Sequence, residues 1–186
     1  MSQVNQDTFT GASFSLKNRV ARFIWDCVYV ILFRYSPRPL HKWRSFLLRL
    51  FGAKIGKGSH IYPKVKIWAP WNLELGETVG IGDYTVMYSQ GRIKVGDRTT
   101  ISQYSHICTG THDYRSRGFE LITRPIFIGS DCWLAASTFV HPGVNIGDGA
   151  IVGACSVVTR DLDSWKIYAG NPCIYIKNRY EKNTDR

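Results

Sequence analysis

The stretch that decides the fold runs from residue 128 to residue 158 and reads IGSDCWLAASTFVHPGVNIGDGAIVGACSVV. Aliphatic residues recur in it at every sixth position, namely Ile128, Leu134, Val140, Ile146, Val152 and Val158. A period of six matches neither the 3.6-residue period of an α-helix nor the two-residue period of a strand. It is typical of a parallel β-helix, in which three hexapeptides make one triangular coil. The pattern therefore predicts a solenoid with one inward aliphatic side chain on each flat face.

The same spacing extends toward the N-terminus, with two slips of two residues, as far as Ile55. At about eighteen residues per coil, residues 54–163 would form about five coils. Small residues such as Gly129 and Ala135 follow most aliphatic positions, and we expect them to let the backbone turn each corner. Residues 164–186 would add a turn, a strand and a charged tail.

Length and composition indicate an ordinary globular protein. The chain has 186 residues, of which 44% are hydrophobic and 20% charged, so a single domain with a substantial core is expected. Its five cysteines are odd in number and lack Cys-x-x-Cys spacing, which favours a reduced, cytoplasmic protein over a disulfide framework. The longest apolar run, residues 27–33, is too short to span a membrane.

The net charge of +10 is concentrated near the N-terminus, where residues 1–58 hold ten Lys or Arg and two Asp. No nucleic-acid recognition motif accompanies this charge, so nucleic acid is not expected as a partner. An anionic membrane surface or a phosphate-bearing substrate fits the charge better.

The N-terminal residues 1–13 are predicted to be flexible, and residues 14–53 to form an amphipathic, basic helical extension that Pro37 and Pro39 interrupt. One apolar face is predicted for its first helix, made of Val20, Phe23, Ile24, Cys27, Val28 and Ile31. Two compatible roles are open. The helices could cap the end of the solenoid, or they could rest on the inner face of the cytoplasmic membrane as peripheral elements.

The hexapeptide pattern breaks after Ile107, and residues 108–125 are predicted to leave the solenoid as one loop. Loops on a rigid scaffold often carry function, and this one contains His112. Imidazole titrates near pH 6.5 and can accept a proton from a hydroxyl at neutral pH. A loop histidine that bonds only to nearby backbone is the alternative.

Several separate motifs resemble those of the hexapeptide-repeat O-acetyltransferases of the galactoside, maltose and nodulation acetyltransferase type. They are Thr-His-Asp (111–113), Ile-Gly-Ser-Asp-Cys-Trp-Leu-Ala (128–135), Pro-Gly-Val-Asn-Ile-Gly-Asp-Gly (142–149) and Ala-Gly-Asn-Pro (169–172). Residues 36–44, 51–56 and 67–73 are similar to the branch assigned to colanic-acid biosynthesis. The resemblance covers about residues 14–178.

This resemblance implies a left-handed β-helix, a homotrimer with active sites between subunits, and acetyl-CoA as co-substrate without a metal. It places the family's catalytic histidine at His112, which would deprotonate an acceptor hydroxyl for direct attack on the thioester. The backbone N–H of Ala136 would hold the oxyanion.

The family's coenzyme-contacting positions fall on Trp133, Ala136, Ala154, Thr159, Arg160 and Lys177. This chain has Ile174 where relatives often have arginine, and Arg179 is a candidate substitute. It also lacks a corner asparagine common in relatives, so Tyr88 or Ser89 is expected to bind the acceptor sugar, together with Asp113.

Three rival interpretations remain. Cys108 lies four residues from His112 and could act as a nucleophile. A zinc enzyme of the γ-carbonic-anhydrase type could use His106, His112 and His141, although that family's close histidine pair is absent here. A non-catalytic β-helix scaffold is the third possibility.

Overall fold

The computed structural model describes residues 11–180, and its short strands form a prism with three faces. The predicted flexible segment 1–13 and the charged tail therefore lie partly outside the described residues. Strands follow one another in the order face A, face B, face C, and equivalent strands of successive coils pair in parallel. The parallel β-helix predicted from the six-residue period is confirmed.

Face A contains β1 (Lys54–Ile55), β4 (Leu73–Leu75), β7 (Ile93–Val95), β12 (Ile126–Ile128) and β15 (Asn145–Ile146). Face B contains β2 (His60–Ile61), β5 (Gly80–Ile81), β8 (Thr100–Ile101), β13 (Trp133–Leu134) and β16 (Ile151–Val152). Face C contains β3 (Lys66–Ile67), β6 (Val86–Tyr88), β9 (His106–Cys108), β14 (Phe139–Val140) and β17 (Val157–Val158). These strands make five complete coils, and a sixth begins where Leu162 bridges to Ile146.

Inward aliphatic side chains form columns that run along the axis of the prism. On face B, one buried column consists of Ile61, Ile81, Ile101, Leu134 and Val152, which pair in register from coil to coil. Each inward residue thus packs against its equivalents above and below, and the columns bury the core of the solenoid.

The small residues after the aliphatic positions allow successive coils to stack closely. The expectation that they let the backbone turn the corners is corrected. A methyl group on Gly129 would lie 2.7 Å from the backbone nitrogen of Asp148 in the next coil. The left-handed backbone conformations at the corners fall instead on Asp131 (φ 58°), Ser137 (φ 61°) and Cys155 (φ 57°). Glycine is therefore needed where two backbones approach closely.

The break in the hexapeptide pattern corresponds to a short antiparallel β-arm, which we define as residues 110–123. Its strands are β10 (Gly110–His112) and β11 (Leu121–Thr123), with His112 opposite Leu121. The arm leaves after β9 and returns to β12, so it projects from the corner between faces C and A, here called corner CA. We call the corner between faces B and C corner BC.

The N-terminal extension contains α1 (Leu16–Val28), a π-helical segment (Tyr29–Phe33) and α2 (His41–Leu50). The Ser15 side chain caps α1 by accepting a hydrogen bond from the N–H of Asn18, at 3.3 Å. Pro37 and Pro39 lie in the turns between the helices, and a short 3₁₀ helix (Pro70–Asn72) lies between β3 and β4. Within residues 11–180, no helix combines the length and apolar character needed to cross a membrane.

Helix α1 packs on the solenoid through a different face from the one predicted. Trp25 is fully buried, and its indole N–H donates to the carbonyl oxygen of Ile67 at 2.8 Å. Phe33 is buried beside it, with ring centroids 5.9 Å apart. Phe23 and Ile31 of the predicted packing face are exposed to solvent. The extension does cover the end of the core, but most of its predicted apolar face points outward.

Beyond β17, the described part of the chain finishes in a hairpin on face B. Strand β18 (Lys166–Ala169) pairs in parallel with β16, and β19 (Ile174–Asn178) pairs with β18 in the antiparallel direction. The turn between β18 and β19 contains a cis peptide bond at Asn171–Pro172. This hairpin closes the C-terminal end of face B.

Candidate active site

His112 is held within the arm by Phe119, a partner that the sequence did not identify. Its Nδ1 lies 2.8 Å from the carbonyl oxygen of Phe119, and the two rings stack with centroids 4.3 Å apart. The residues come together because β10 and β11 pair, which brings the two strands and their connection into one hairpin. Their seven-residue separation gave no signal, since the loop shows neither helical nor strand periodicity.

This contact fixes the tautomer of neutral His112. A carbonyl oxygen can only accept a hydrogen bond, so Nδ1 must carry the proton. Nε2 then holds the lone pair, and within residues 11–180 it has no hydrogen-bond partner. The backbone contact that was considered as an alternative role is thus present, and it leaves Nε2 available for the predicted role as a base.

The three predicted acceptor-binding residues differ in availability. Ser89 is fully buried, and its hydroxyl both accepts from the N–H of Ala69 and donates to the Ala69 carbonyl, at 3.0 and 2.9 Å. The prediction that Ser89 binds the acceptor is therefore wrong, because its hydroxyl belongs to the solenoid. Tyr88 is half-buried on face C, where its hydroxyl accepts from Nε2 of Gln90 at 2.9 Å. Asp113 accepts from the N–H of Arg115, which stabilises the turn after His112.

Three of the predicted coenzyme contacts form a wall on face B and corner BC. The exposed indole of Trp133 is held by its N–H, which donates to Oγ of Ser102 at 3.1 Å. Ala136 and Ala154 follow β13 and β16 at equivalent places in successive coils, because the N–H of Cys155 donates to the Ala136 carbonyl. Lys177 lies exposed on β19 of the same face. Small side chains at the corner leave room for a thin ligand along the axis.

The backbone of Ala136 offers one free donor. The N–H groups of its neighbours, Ala135 and Ser137, donate to the carbonyls of Val152 and Gln103. The N–H of Ala136 donates no hydrogen bond to any atom of residues 11–180. A corner N–H that is unpaired and fixed in place can donate a hydrogen bond to an oxyanion without any movement of the backbone.

The predicted residues divide between two corners of one chain. Thr159 and Arg160 follow β17 and therefore lie at corner CA, on the same edge of the prism as the arm with His112. Trp133, Ala136 and Ala154 lie on face B or at corner BC. Face C stands between the two groups. Within one chain, His112 therefore lies apart from the alanine wall.

Arg179 is engaged in a structural role. Its Nη1 donates to the carbonyl oxygens of Asp131 and Gly149, at 2.6 and 2.9 Å, and its guanidinium lies 5.5 Å from the ring of Trp165. These bonds tie the C-terminal strand to the solenoid. They give no support to Arg179 as a substitute for a coenzyme contact at Ile174.

The geometry also bears on the rival chemistries. Burial raises the pKa of the Cys108 thiol, and its Sγ donates to the Gly110 carbonyl at 3.3 Å, so a thiolate nucleophile is disfavoured. For zinc, no cluster of three His, Cys, Asp or Glu side chains suited to a metal occurs in the described part of the chain. Burial lowers the pKa of His106, whose ring lies among aromatic side chains on face C.

Comparison with known proteins identifies the family. The family described as bacterial transferase hexapeptide (six repeats) matches residues 125–160. An Escherichia coli K12 protein, provisionally named colanic acid biosynthesis acetyltransferase WcaF, is 47% identical over 164 residues, which cover 88% of this chain and 90% of that protein. The chain belongs to the hexapeptide-repeat acetyltransferases.

Solved structures support the fold of this hexapeptide-repeat acetyltransferase. A maltose O-acetyltransferase from Clostridium difficile 630 is 25% identical, with a TM-score of 0.82 and 90% of each chain covered. A Vibrio cholerae O1 hexapeptide-repeat acetyltransferase complexed with acetyl coenzyme A is 24% identical, with a TM-score of 0.83. That comparison covers 91% of this chain and 93% of the other. The solenoid is thus the left-handed parallel β-helix implied by the sequence motifs.

Proposed function

We propose that this protein transfers an acetyl group from acetyl-CoA to a hydroxyl group of a sugar or polysaccharide precursor. The observation that carries the proposal is the bond from Nδ1 of His112 to the Phe119 carbonyl, which leaves Nε2 as the basic nitrogen. Family membership supplies the reaction class. The name of the WcaF relative supports a polysaccharide precursor over other acceptors.

In the proposed reaction, Nε2 of His112 takes the proton of the acceptor hydroxyl as its oxygen attacks the thioester carbonyl. The new C–O bond gives a tetrahedral oxyanion, which the free N–H of Ala136 stabilises. Collapse of this intermediate breaks the C–S bond, and the coenzyme A thiolate takes the proton back from His112. No covalent enzyme intermediate is needed, which agrees with the half-buried position of Cys108, where burial raises the pKa of its thiol.

For the coenzyme, we propose the wall formed by Trp133, Ala136 and Ala154. The alanines present only methyl groups, so a pantetheine arm can lie close to the coil backbone. Arg160 and Lys177 carry exposed positive charges that suit its phosphates. The V. cholerae neighbour, which was solved with acetyl coenzyme A, supports this type of ligand on this fold.

We further propose a homotrimer in which each site combines two subunits. Corner CA supplies His112, Thr159 and Arg160, whereas corner BC supplies the alanine wall. In a ring with cyclic symmetry, corner CA of one subunit can face corner BC of the next, so every interface completes one site.

On the acceptor side, Tyr88 and Asp113 remain candidates. We place the trimer in the cytoplasm, in peripheral contact with the inner membrane through its basic N-terminal extension.

The test is acetyl transfer by the purified protein, measured as release of the coenzyme A thiol with free sugars, nucleotide sugars and lipid-linked glycans as acceptors. We expect His112→Ala to bind acetyl-CoA normally in calorimetry and to lose at least about 10²-fold in turnover. The matched control is His60→Ala, which changes an exposed histidine on β2, in the first coil of the solenoid. Near-normal turnover by His112→Ala would refute the assignment of the base.

A further inference from the structure

The N-terminal helices carry an apolar surface that faces away from the solenoid. Along α1, Leu16, Val20, Phe23 and Cys27 follow one another at intervals of four, three and four residues, which places them in one row. This row lies opposite the buried Trp25, and Leu16 and Phe23 are 73% and 70% exposed. We call it the outer row of α1. Helix α1 therefore has two apolar sides. One packs on the core, and the other is exposed to solvent.

Helix α2 has a matching outer row. Trp43, Phe46 and Leu50 are spaced three and four residues apart, and all three are exposed, on the side of the helix opposite the buried Leu48. The Trp43 and Phe46 rings stack with centroids 5.8 Å apart. These three side chains form the second half of an apolar surface.

The two rows adjoin each other. The indole N–H of Trp43 donates to the carbonyl oxygen of Leu32 at 3.0 Å, so α2 reaches the end of the helix that begins with α1. Ile31, which is 71% exposed, extends the outer row of α1 toward this junction. Together the rows form one N-terminal apolar surface, too continuous to be the scattered exposure of single side chains that is normal in soluble proteins.

The charge around this surface indicates what covers it. Residues 14–53 hold eight Lys or Arg and one Asp, a net charge of +7. Lys17, Arg19 and Lys42 are exposed on the two helices, whereas the guanidinium of Arg49 donates to the carbonyl oxygen of Ile55 on the solenoid. None of the first three lies within ion-pair distance of a carboxylate among the described residues. Apolar rows with unneutralised cations beside them match the hydrocarbon and the phosphates of an anionic bilayer.

A second copy of the chain is a poorer occupant. Apposing two of these surfaces would bring two net charges of +7 together, which disfavours symmetric association. The surface also lies at the end of the solenoid, where Trp25 covers the first coil, and not on the sides where the proposed subunit contacts are. We propose that the outer rows of α1 and α2 dock on an anionic phospholipid membrane, with both helices in the plane of the interface.

The experiment is flotation of the full-length protein with vesicles. One set contains equimolar phosphatidylglycerol and phosphatidylcholine, and the other phosphatidylcholine alone. The protein should float with the anionic vesicles at low salt and lose binding at high salt. We expect Phe23→Gln with Leu50→Gln to lower binding at least about tenfold, because two apolar side chains that would enter the bilayer are replaced by polar ones. Arg19→Gln with Lys42→Gln should lower it at least about fivefold.

Ile176→Gln is the matched control, because Ile176 is 52% exposed on β19, at the other end of the solenoid, and should bind vesicles like the wild type. Circular dichroism melting checks that all variants fold. The proposal is overturned if the wild type does not float, or if the Phe23/Leu50 variant floats as well as the wild type. It is also overturned if that variant changes the mass in light scattering, which would mean that another copy covers the surface.

Discussion

The carbonyl oxygen of Phe119 lies 2.8 Å from Nδ1 of His112, and the two rings are parallel to within 9°. One residue therefore fixes both the tautomer and the orientation of the proposed base. The carbonyl sets which nitrogen is protonated, and the ring limits rotation of the imidazole. A catalytic group that is held in this way loses little entropy in the transition state.

Phe119→Ala keeps the carbonyl and removes the ring, so it separates these two effects. We expect kcat to fall about three- to tenfold, the size of an aromatic pair contribution, with the KM for acetyl-CoA unchanged. Phe119→Tyr should restore kcat. The matched control is Phe127→Ala on face A, since Phe127 and Phe119 are 38% and 39% exposed. An unchanged kcat in Phe119→Ala would show that the ring does not position His112.

The division of the site between two corners predicts complementation between inactive subunits. His112→Ala removes the base at corner CA, and Ala154→Leu should block the coenzyme wall at corner BC. In mixed trimers, a site can pair an intact arm from one subunit with an intact wall from the next. In the proposed trimer, every ring that contains both variants has one intact site, which is about one third of its sites.

The measurement is acetyl-transfer activity of co-expressed, differently tagged variants after purification through both tags. Each variant expressed alone is the control and should stay inactive. Mixed trimers that are no more active than these controls would contradict a site shared between two subunits.

Two glycines test the structural reason for the hexapeptide pattern. Gly129→Ala would place a methyl group 2.7 Å from the Asp148 backbone nitrogen, and we expect a loss of about 1–3 kcal/mol in the free energy of unfolding. In Gly80→Ala, the new methyl group would lie 3.6 Å from Oγ1 of Thr100, an ordinary contact. Its effect should stay within about 0.5 kcal/mol. Equal losses in denaturant unfolding would contradict the stacking role.

The sequence by itself determined the solenoid and its core. Residues such as Ile101 and Leu134 point inward at each face because a six-residue period returns the chain to the same face every third hexapeptide. This period is local information, so it can be read without knowing any contact. The break after Ile107 likewise marked the segment that carries His112, because the pattern stops there.

Tertiary structure decided what the period does not encode. The pairing of β10 with β11 brings Phe119 to His112, and stacking of coils buries Ser89, which had been expected to bind the acceptor. Helix α1 turns Trp25 inward because a large aromatic side chain with an N–H donor matches the open end of the core at Ile67. Its more numerous apolar residues remain outside. The corner that each site residue occupies depends on how the three faces close into a coil. Only the folded chain therefore shows that His112 and the proposed coenzyme wall lie at different corners.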